Sequence, residues 1–292
     1  MFQAVDHGVL QGLSELFPVS SLGHTVLFPT LFGWHSLVTA QSQPHSFWLA
    51  FVVMLHVGSA VGLLIFFWRD WVALIRAWCH TIAARRIVTP VERLSWLIVF
   101  ASIPAGVLAV ALQRPLRDAL AKPTAAAFFL ILNGLILLGA ERLRRGSDVR
   151  DLALRQGAKK DGGRKLETLA YKEAVVIGVA QSSALIAGIS RDGVCMTAGL
   201  LRGLDHEDAA RFAFLLATPV ILAAGLFELS DLLGPLGDGV RSQALVAALC
   251  SAVTAIVAVR FLVGYFKTKT LTPFGLYCLA FGTAMAVYTT VH

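Results

Sequence analysis

The chain has 292 residues, of which 57% are hydrophobic and 15% charged, with a mean hydropathy of +0.71. That balance excludes an ordinary soluble domain and a disordered chain, and points to a polytopic membrane protein. The formal net charge is +7, but the basic residues cluster between apolar runs, so they read as topology determinants and no nucleic-acid partner is expected.

Taken in chain order, the first apolar stretch is interrupted by Gln11-Gly-Leu-Ser-Glu15-Leu-Phe-Pro18-Val-Ser20-Ser21-Leu-Gly23-His24. This segment is too polar for an ordinary span and too apolar for an exposed loop. The residues before it lack a basic leader and carry Asp6, so no cleavable signal peptide is expected. A polar connector follows over 32–46, then a first full span over 47–68, interrupted by His56, which reads as a packing or polar-contact residue. Residues 69–93 read as a basic loop. The second span covers 94–112, with Pro104 and Gly106 expected to kink it without breaking it. A connector with Arg114, Pro115 and Lys122 leads to the third span, 124–140.

Residues 141–172 form the longest hydrophilic segment. With ten Lys or Arg and glycines at 157, 162 and 163, they read as a flexible linker between two halves. A second interrupted segment lies in 178–202, followed by spans over 212–229, 244–263 and 274–291. Arg260, close to a helix end, reads as a snorkelling side chain, and Glu173 and Glu228 as interface residues. The basic segments 69–93 and 141–172 are separated by two spans, so they share a side, and their charge makes that side cytoplasmic. Lys267 and Lys269 fall on the same side, while Asp231 and Asp238 with Arg241 fall opposite. Four widely spaced cysteines, Cys79, Cys195, Cys250 and Cys278, support neither a zinc site nor a disulfide framework.

Shifting the sequence by 170 positions lays Gln11 on Gln181, Ser20 on Ser190 and Gly23 on Gly193, and sets the helix breaker Pro18 against Gly188. Each half then reads as one broken segment plus three spans, and three is odd, so the halves run in opposite directions. The expected fold is an all-α polytopic membrane protein built as an inverted-topology repeat, with about six transmembrane helices and two re-entrant helical hairpins. Its expected parts are a first repeat over 1–141 with its hairpin at 8–30, a basic cytoplasmic linker over 142–172, and a second repeat over 173–292 with its hairpin at 178–202.

The chemistry-bearing residues concentrate in the two interrupted segments. Gln11 and Glu15 are four apart, hence on one helix face. Ionisable groups at membrane depth are costly and are functional candidates by default. Ser20, Ser21 and His24 follow the break, and Gly188, Ser190, Arg191, Asp192 and Gly193 occupy the other segment. An arginine fork and glycine-rich backbone amides suit phosphate oxygens. A carboxylate can hold a hard divalent cation that neutralises diphosphate charge. The plainer alternative for a serine in an apolar helix is a bond back to its own backbone, and for Asp192 a simple pairing with Arg191.

Together these residues resemble the undecaprenyl-pyrophosphate phosphatases associated with bacitracin resistance. Gln11 to Glu15 followed by Pro18-Val-Ser20-Ser21-Leu22-Gly23-His24 resembles that family's first motif, and Ala187-Gly188-Ile189-Ser190-Arg191-Asp192 its second. Weaker echoes occur in Phe214 to Pro219 and in Leu271 to Tyr277. The resemblance implies an integral membrane enzyme of the bacterial cytoplasmic membrane that removes the terminal phosphate of a polyprenyl diphosphate and recycles the carrier lipid for peptidoglycan synthesis. It implies a divalent cation, Mg2+ or Ca2+, and a site opening to the outer face. By position, Glu15 is implied as metal ligand or base, Ser21 as nucleophile or phosphate ligand, and His24 as proton shuttle. Arg191 and Ser190, with Gln11, Ser20 and Gly188, are implied around the diphosphate. Gln11 stands where the family carries an acid, and Asp192 is read as restoring that carboxylate as a second metal ligand. The implied partners are the lipid substrate and membrane lipid, with a homodimer left open. The rival readings are a polyprenyl-phosphate transporter or flippase and a non-catalytic lipid-binding homologue.

Overall fold

A computed structural model describes residues 2–34, 47–120, 122–154, 164–234 and 241–291. The rest of the polar connector, the centre of the linker (155–163) and Asp238 lie outside the described residues, as do the side chains of Arg114, Glu228 and Asp231. The described residues are helical apart from turns and one isolated bridge between Arg164 and Leu204. In order the helices are α1 (Phe2–Leu16), α2 (Ser21–Leu31), α3 (Phe47–Phe66), α4 (Trp68–Ala84), α5 (Pro90–Leu120), α6 (Pro123–Leu154), α7 (Tyr171–Gln181), α8 (Arg191–Leu201), α9 (His206–Leu233), α10 (Arg241–Tyr265) and α11 (Thr272–Val291).

Five of these, α5, α6, α9, α10 and α11, are long and apolar enough to cross a membrane, in agreement with the last five expected spans. The first expected span, 47–68, is helix α3, Phe47–Phe66, which turns by 83° into α4 at Phe67, and the bent pair brings the candidate spans to six. The reading of 69–93 as a loop is therefore corrected, since Trp68–Ala84 is helix. Its charges concealed a helical period. Trp68, Trp71, Val72, Ile75, Trp78 and Ile82 share one face, and Arg69, Arg76 and His80 another. With Trp68, Val72, Ile75 and Ile82 exposed, α4 has the character of an interfacial helix lying along the membrane surface. The linker reading is corrected too, because α6 runs on to Leu154 and the segment 141–154 is helix.

Small residues bring the helices together. A Cβ on Gly8 of α1 would meet Ala247 O at 2.4 Å, and one on Gly58 of α3 would meet Ala248 O at 2.2 Å, so α10 is clasped by α1 and α3 through close backbone approach. Ser251 on α10 donates to Leu55 O at 2.8 Å and its hydroxyl lies 2.8 Å from that of Ser59, which satisfies buried polar groups where no water can.

One end of the bundle is a layer of ion pairs. Arg211 pairs with Asp70 at 2.5 Å, His80 with Glu92 at 2.8 Å, Arg164 with Glu173 at 2.9 Å, and Lys165 with Asp205 at 3.1 Å. The bond that Lys165 donates to Asp205 raises the pKa of its ammonium above the ordinary range. Glu141 accepts from His206 Nε2 at 2.6 Å and from Leu271 N at 2.8 Å, so the end of the span in α6 and the starts of α9 and α11 meet in this layer. Asn133 stands eight residues back from Glu141, about 12 Å along α6 at 1.5 Å per residue. His56 is likewise central in α3. Both mark the depth at which the two broken segments meet.

Candidate active site

The two breaks share one local construction. After α1 ends, the chain turns through Phe17 to Val19, and Ser20, at φ 68°, caps α2 by accepting from Gly23 N at 3.2 Å. Across the molecule, Ser190 caps α8 by accepting from Gly193 N at 3.1 Å. A serine that accepts the N–H three residues on satisfies one of the otherwise unpaired donors of a helix start. The first helical residues are then Ser21 and Arg191, so two helix N-termini, each with its partial positive charge, deliver these two side chains to one place.

That place is Glu15. Arg191 Nη2 donates to Glu15 Oε1 at 2.5 Å, Gln11 Nε2 donates to Oε2 at 2.7 Å, and the Ser21 hydroxyl donates to the same Oε2. His56 Nε2 lies 3.4 Å from Oε2. The Glu15 side chain is 5% exposed, Arg191 13% and His56 23%, so the carboxylate is buried and the cluster opens past the arginine and the imidazole. Arg191 Nε also reaches Asp192 Oδ1 at 3.4 Å. Two of the five guanidinium N–H donors are thereby used, which leaves three for an anion.

Gln11, Glu15, Ser21, Arg191 and Asp192 are therefore brought together from opposite halves of the chain. Ser20, Gly188 and Ser190 instead join the two breaks: Ser20 Oγ accepts a second bond, from Gly188 N, at 3.1 Å. His24 does not touch Glu15 in this arrangement. Its Nδ1 lies 2.7 Å from Ser20 O, which can only accept, so Nδ1 carries the hydrogen. Nε2, 2.8 Å from the Tyr277 hydroxyl, then accepts from it in the neutral ring. The ring stacks on Tyr277 and Phe281 at centroid distances of 5.7 and 5.2 Å.

Sequence reasoning missed Asn133, which is fully buried at the centre of the site's scaffold. Its Nδ2 donates to Pro18 O at 3.0 Å and its Oδ1 accepts from Ser190 N at 3.0 Å, so one amide pins both breaks. The signal for it is a lone amide inside the apolar run Phe128-Phe-Leu-Ile-Leu-Asn133-Gly-Leu-Ile-Leu. Asn133→Leu leaves a buried carbonyl and a buried N–H without partners, each costing about 1–3 kcal/mol. It is expected to lower the unfolding midpoint in detergent and to abolish activity together. A variant with an unchanged midpoint would show that the amide does not hold the breaks.

The donors suit a hard cation. Gln11 Oε1 and Asp192 Oδ2 are buried without a hydrogen-bond partner, and with the Glu15 carboxylate and the Ser21 hydroxyl they make an all-oxygen set. Among the described residues no three His, Cys, Asp or Glu side chains group closely enough to hold an ion alone. The set therefore fits an ion shared between one or two carboxylates and the phosphates of a substrate, the habit of Mg2+.

Comparison with known proteins identifies the family. Residues 4–284 match the family described as bacitracin resistance protein BacA. The chain is 49% identical to "Undecaprenyl-diphosphatase 2" of Frankia alni, over 96% of this chain and 95% of that protein. It is 49% identical to "Undecaprenyl-diphosphatase" of Mycolicibacterium paratuberculosis, over 98% and 96%. A third relative, "Undecaprenyl-diphosphatase 2" of Chromobacterium violaceum, is 43% identical over 96% and 95%. The chain belongs to the bacitracin resistance protein BacA family.

Proposed function

We propose how this member of the bacitracin resistance family works as an integral membrane phosphatase, hydrolysing undecaprenyl diphosphate to the monophosphate and inorganic phosphate. That reaction returns the carrier lipid to cell-wall synthesis and underlies resistance to bacitracin. The observation that carries the reading is the meeting of a hydroxyl, a carboxylate and an arginine at two facing helix N-termini, at membrane depth.

The three free N–H donors of Arg191 and the positive ends of α2 and α8 bind the terminal phosphate of the lipid. Ser21 Oγ, hydrogen-bonded to Glu15, attacks phosphorus as Glu15 takes its proton. The bond to the bridging oxygen breaks and undecaprenyl phosphate departs. Water, deprotonated by a Glu15 that has shed the first proton, then attacks the phosphoserine; the bond from phosphorus to Ser21 Oγ breaks, inorganic phosphate departs, and Glu15 returns the proton to Oγ. His56 Nε2, 3.4 Å from Glu15 Oε2 and on the more exposed side of the cluster, supplies the route by which the first proton leaves, while His24, held between Ser20 O and Tyr277, fixes the start of α2. Glu15 and Asp192, with Gln11 Oε1, would hold a divalent cation, Mg2+ or Ca2+, which supplies charge neutralisation of the diphosphate when bound. Asp192 takes the place of an acid at position 11 in this scheme. The halves are inverted repeats, with the ion-pair layer cytoplasmic and the site open to the outer leaflet.

The test is phosphate release from undecaprenyl diphosphate by protein in detergent, with Mg2+, with Ca2+ and with chelator, beside Arg191→Lys. Release should require the metal. A lysine cannot reproduce the fork, and loss of a preorganised donor costs about 100- to 1,000-fold in turnover. Full activity in Arg191→Lys would remove the phosphate from that residue, and chelator-resistant release would remove the metal.

A further inference from the structure

The ion-pair layer contains a second cluster of basic side chains, distinct from Glu15 and its partners. Between the end of the membrane-embedded part of α6 and the start of α11 lies a cavity of about 270 Å³, lined by Leu138, Glu141, Arg142, Arg145 and Thr272. Neither Arg142 nor Arg145 pairs with a carboxylate among the described residues, whereas the carboxylate of Glu141 is turned to His206 and Leu271 N. The cavity is therefore cationic in spite of its glutamate.

Its depth narrows the choice of ligand. The apolar span in α6 ends at Gly146 and that in α11 begins at Thr272, so the cavity sits where hydrocarbon gives way to headgroups. Directly beneath the arginines, Leu138 and Leu135 continue the same face of α6 at four- and three-residue steps. On α11, Leu276 lies one turn beyond Thr272. Leu135 is 54% exposed and Leu276 56% exposed, so both face lipid. An anionic head above and an apolar strip below is the pattern of a phospholipid, and a free anion would make no use of the strip.

We infer that the Arg142–Arg145–Thr272 cleft is a binding site for an anionic phospholipid, holding its phosphate between the two guanidinium groups with an acyl chain along Leu138, Leu135 and Leu276. Each basic side chain near a membrane surface is worth about a fivefold gain in affinity for anionic lipid, so removing both should weaken retention roughly thirtyfold.

Native mass spectrometry of the detergent-purified full chain, titrated with dioleoylphosphatidylglycerol or dioleoylphosphatidylcholine, measures this retention. Wild type should hold one phosphatidylglycerol in preference to phosphatidylcholine, and Arg142→Ala/Arg145→Ala should lose that preference. Arg76→Ala/Arg86→Ala, which removes the same charge from exposed positions elsewhere, should keep it within about twofold, as expected for charges outside the cleft. Should the first double variant not fold, Arg142→Gln/Arg145→Gln keeps polar side chains there and carries the same comparison. Equal losses in both charge-matched variants would overturn the site in favour of general surface attraction. Competition by millimolar inorganic phosphate as effective as by the lipid would overturn the assignment to a phospholipid.

Discussion

Glu15→Gln is expected to lower phosphate release from undecaprenyl diphosphate by about 1,000-fold or more, within or above the range set by loss of a general base. The substitution keeps the size of the side chain and an acceptor for Arg191 Nη2, but an amide cannot take the Ser21 proton. It also removes the negative charge that Arg191 meets at 2.5 Å and His56 at 3.4 Å. Taking one partner from a buried ion pair commonly costs about 3–5 kcal/mol. Here Asp192, 3.4 Å from Arg191 Nε, remains to compensate the guanidinium. The unfolding midpoint should therefore fall, with the protein still folded and monodisperse, so that lost turnover is separable from lost fold. Ser21→Ala should be comparably inactive, and rapid quenching of wild type with labelled substrate should trap phosphate on Ser21. A Glu15→Gln enzyme with more than a tenth of wild-type turnover would exclude the carboxylate as base.

Gly188→Val is expected to prevent assembly of the site altogether. Gly188 has φ +104°, a conformation open to glycine and strained for a β-branched residue. A Cβ there would stand 2.4 Å from Ala126 O, 2.7 Å from Phe129 Cβ and 2.8 Å from Leu130 N, two of them backbone atoms of α6 that cannot swing aside. The Gly188 N–H is also the donor to Ser20 Oγ, so any shift that relieves the clash parts the two breaks. Strain of this kind costs about 1–3 kcal/mol before the clash is counted. The expected result is little monodisperse protein after extraction, and no activity in what remains. Gly106→Ala is the matched control. Nothing lies within 4 Å of its added Cβ, so its yield should equal wild type and its midpoint should equal or slightly exceed it, alanine being the better helix former. Wild-type behaviour in Gly188→Val would mean that the second break is not held against α6.

Much of this architecture is legible in the amino-acid sequence. Long apolar runs identify the spans α5, α6, α9, α10 and α11, because a run of about 20 residues satisfies its own backbone only as a helix in lipid. Gln11, Glu15 and Ser21 can be grouped because they are close in the chain and face each other across one turn and one break. Arg191 and Asp192 can be suspected because charge at that depth demands a partner. The helix α4 is hidden, since its arginines break the apolar run, and an interfacial helix carries a period where a span carries a length.

Composition and short-range spacing are enough to fix the membrane class, the interrupted segments and the side chains at them. Long-range packing sets the rest: Arg191 meets Glu15 across 176 positions, Asn133 bonds Pro18 O and Ser190 N, and His24 faces Tyr277 instead of the carboxylate. A side chain's local surroundings state that it needs a partner. Which partner it finds depends on the faces along which separate helices pack, and that is decided by close contacts such as Gly8 on Ala247 and Gly58 on Ala248, summed over the whole bundle.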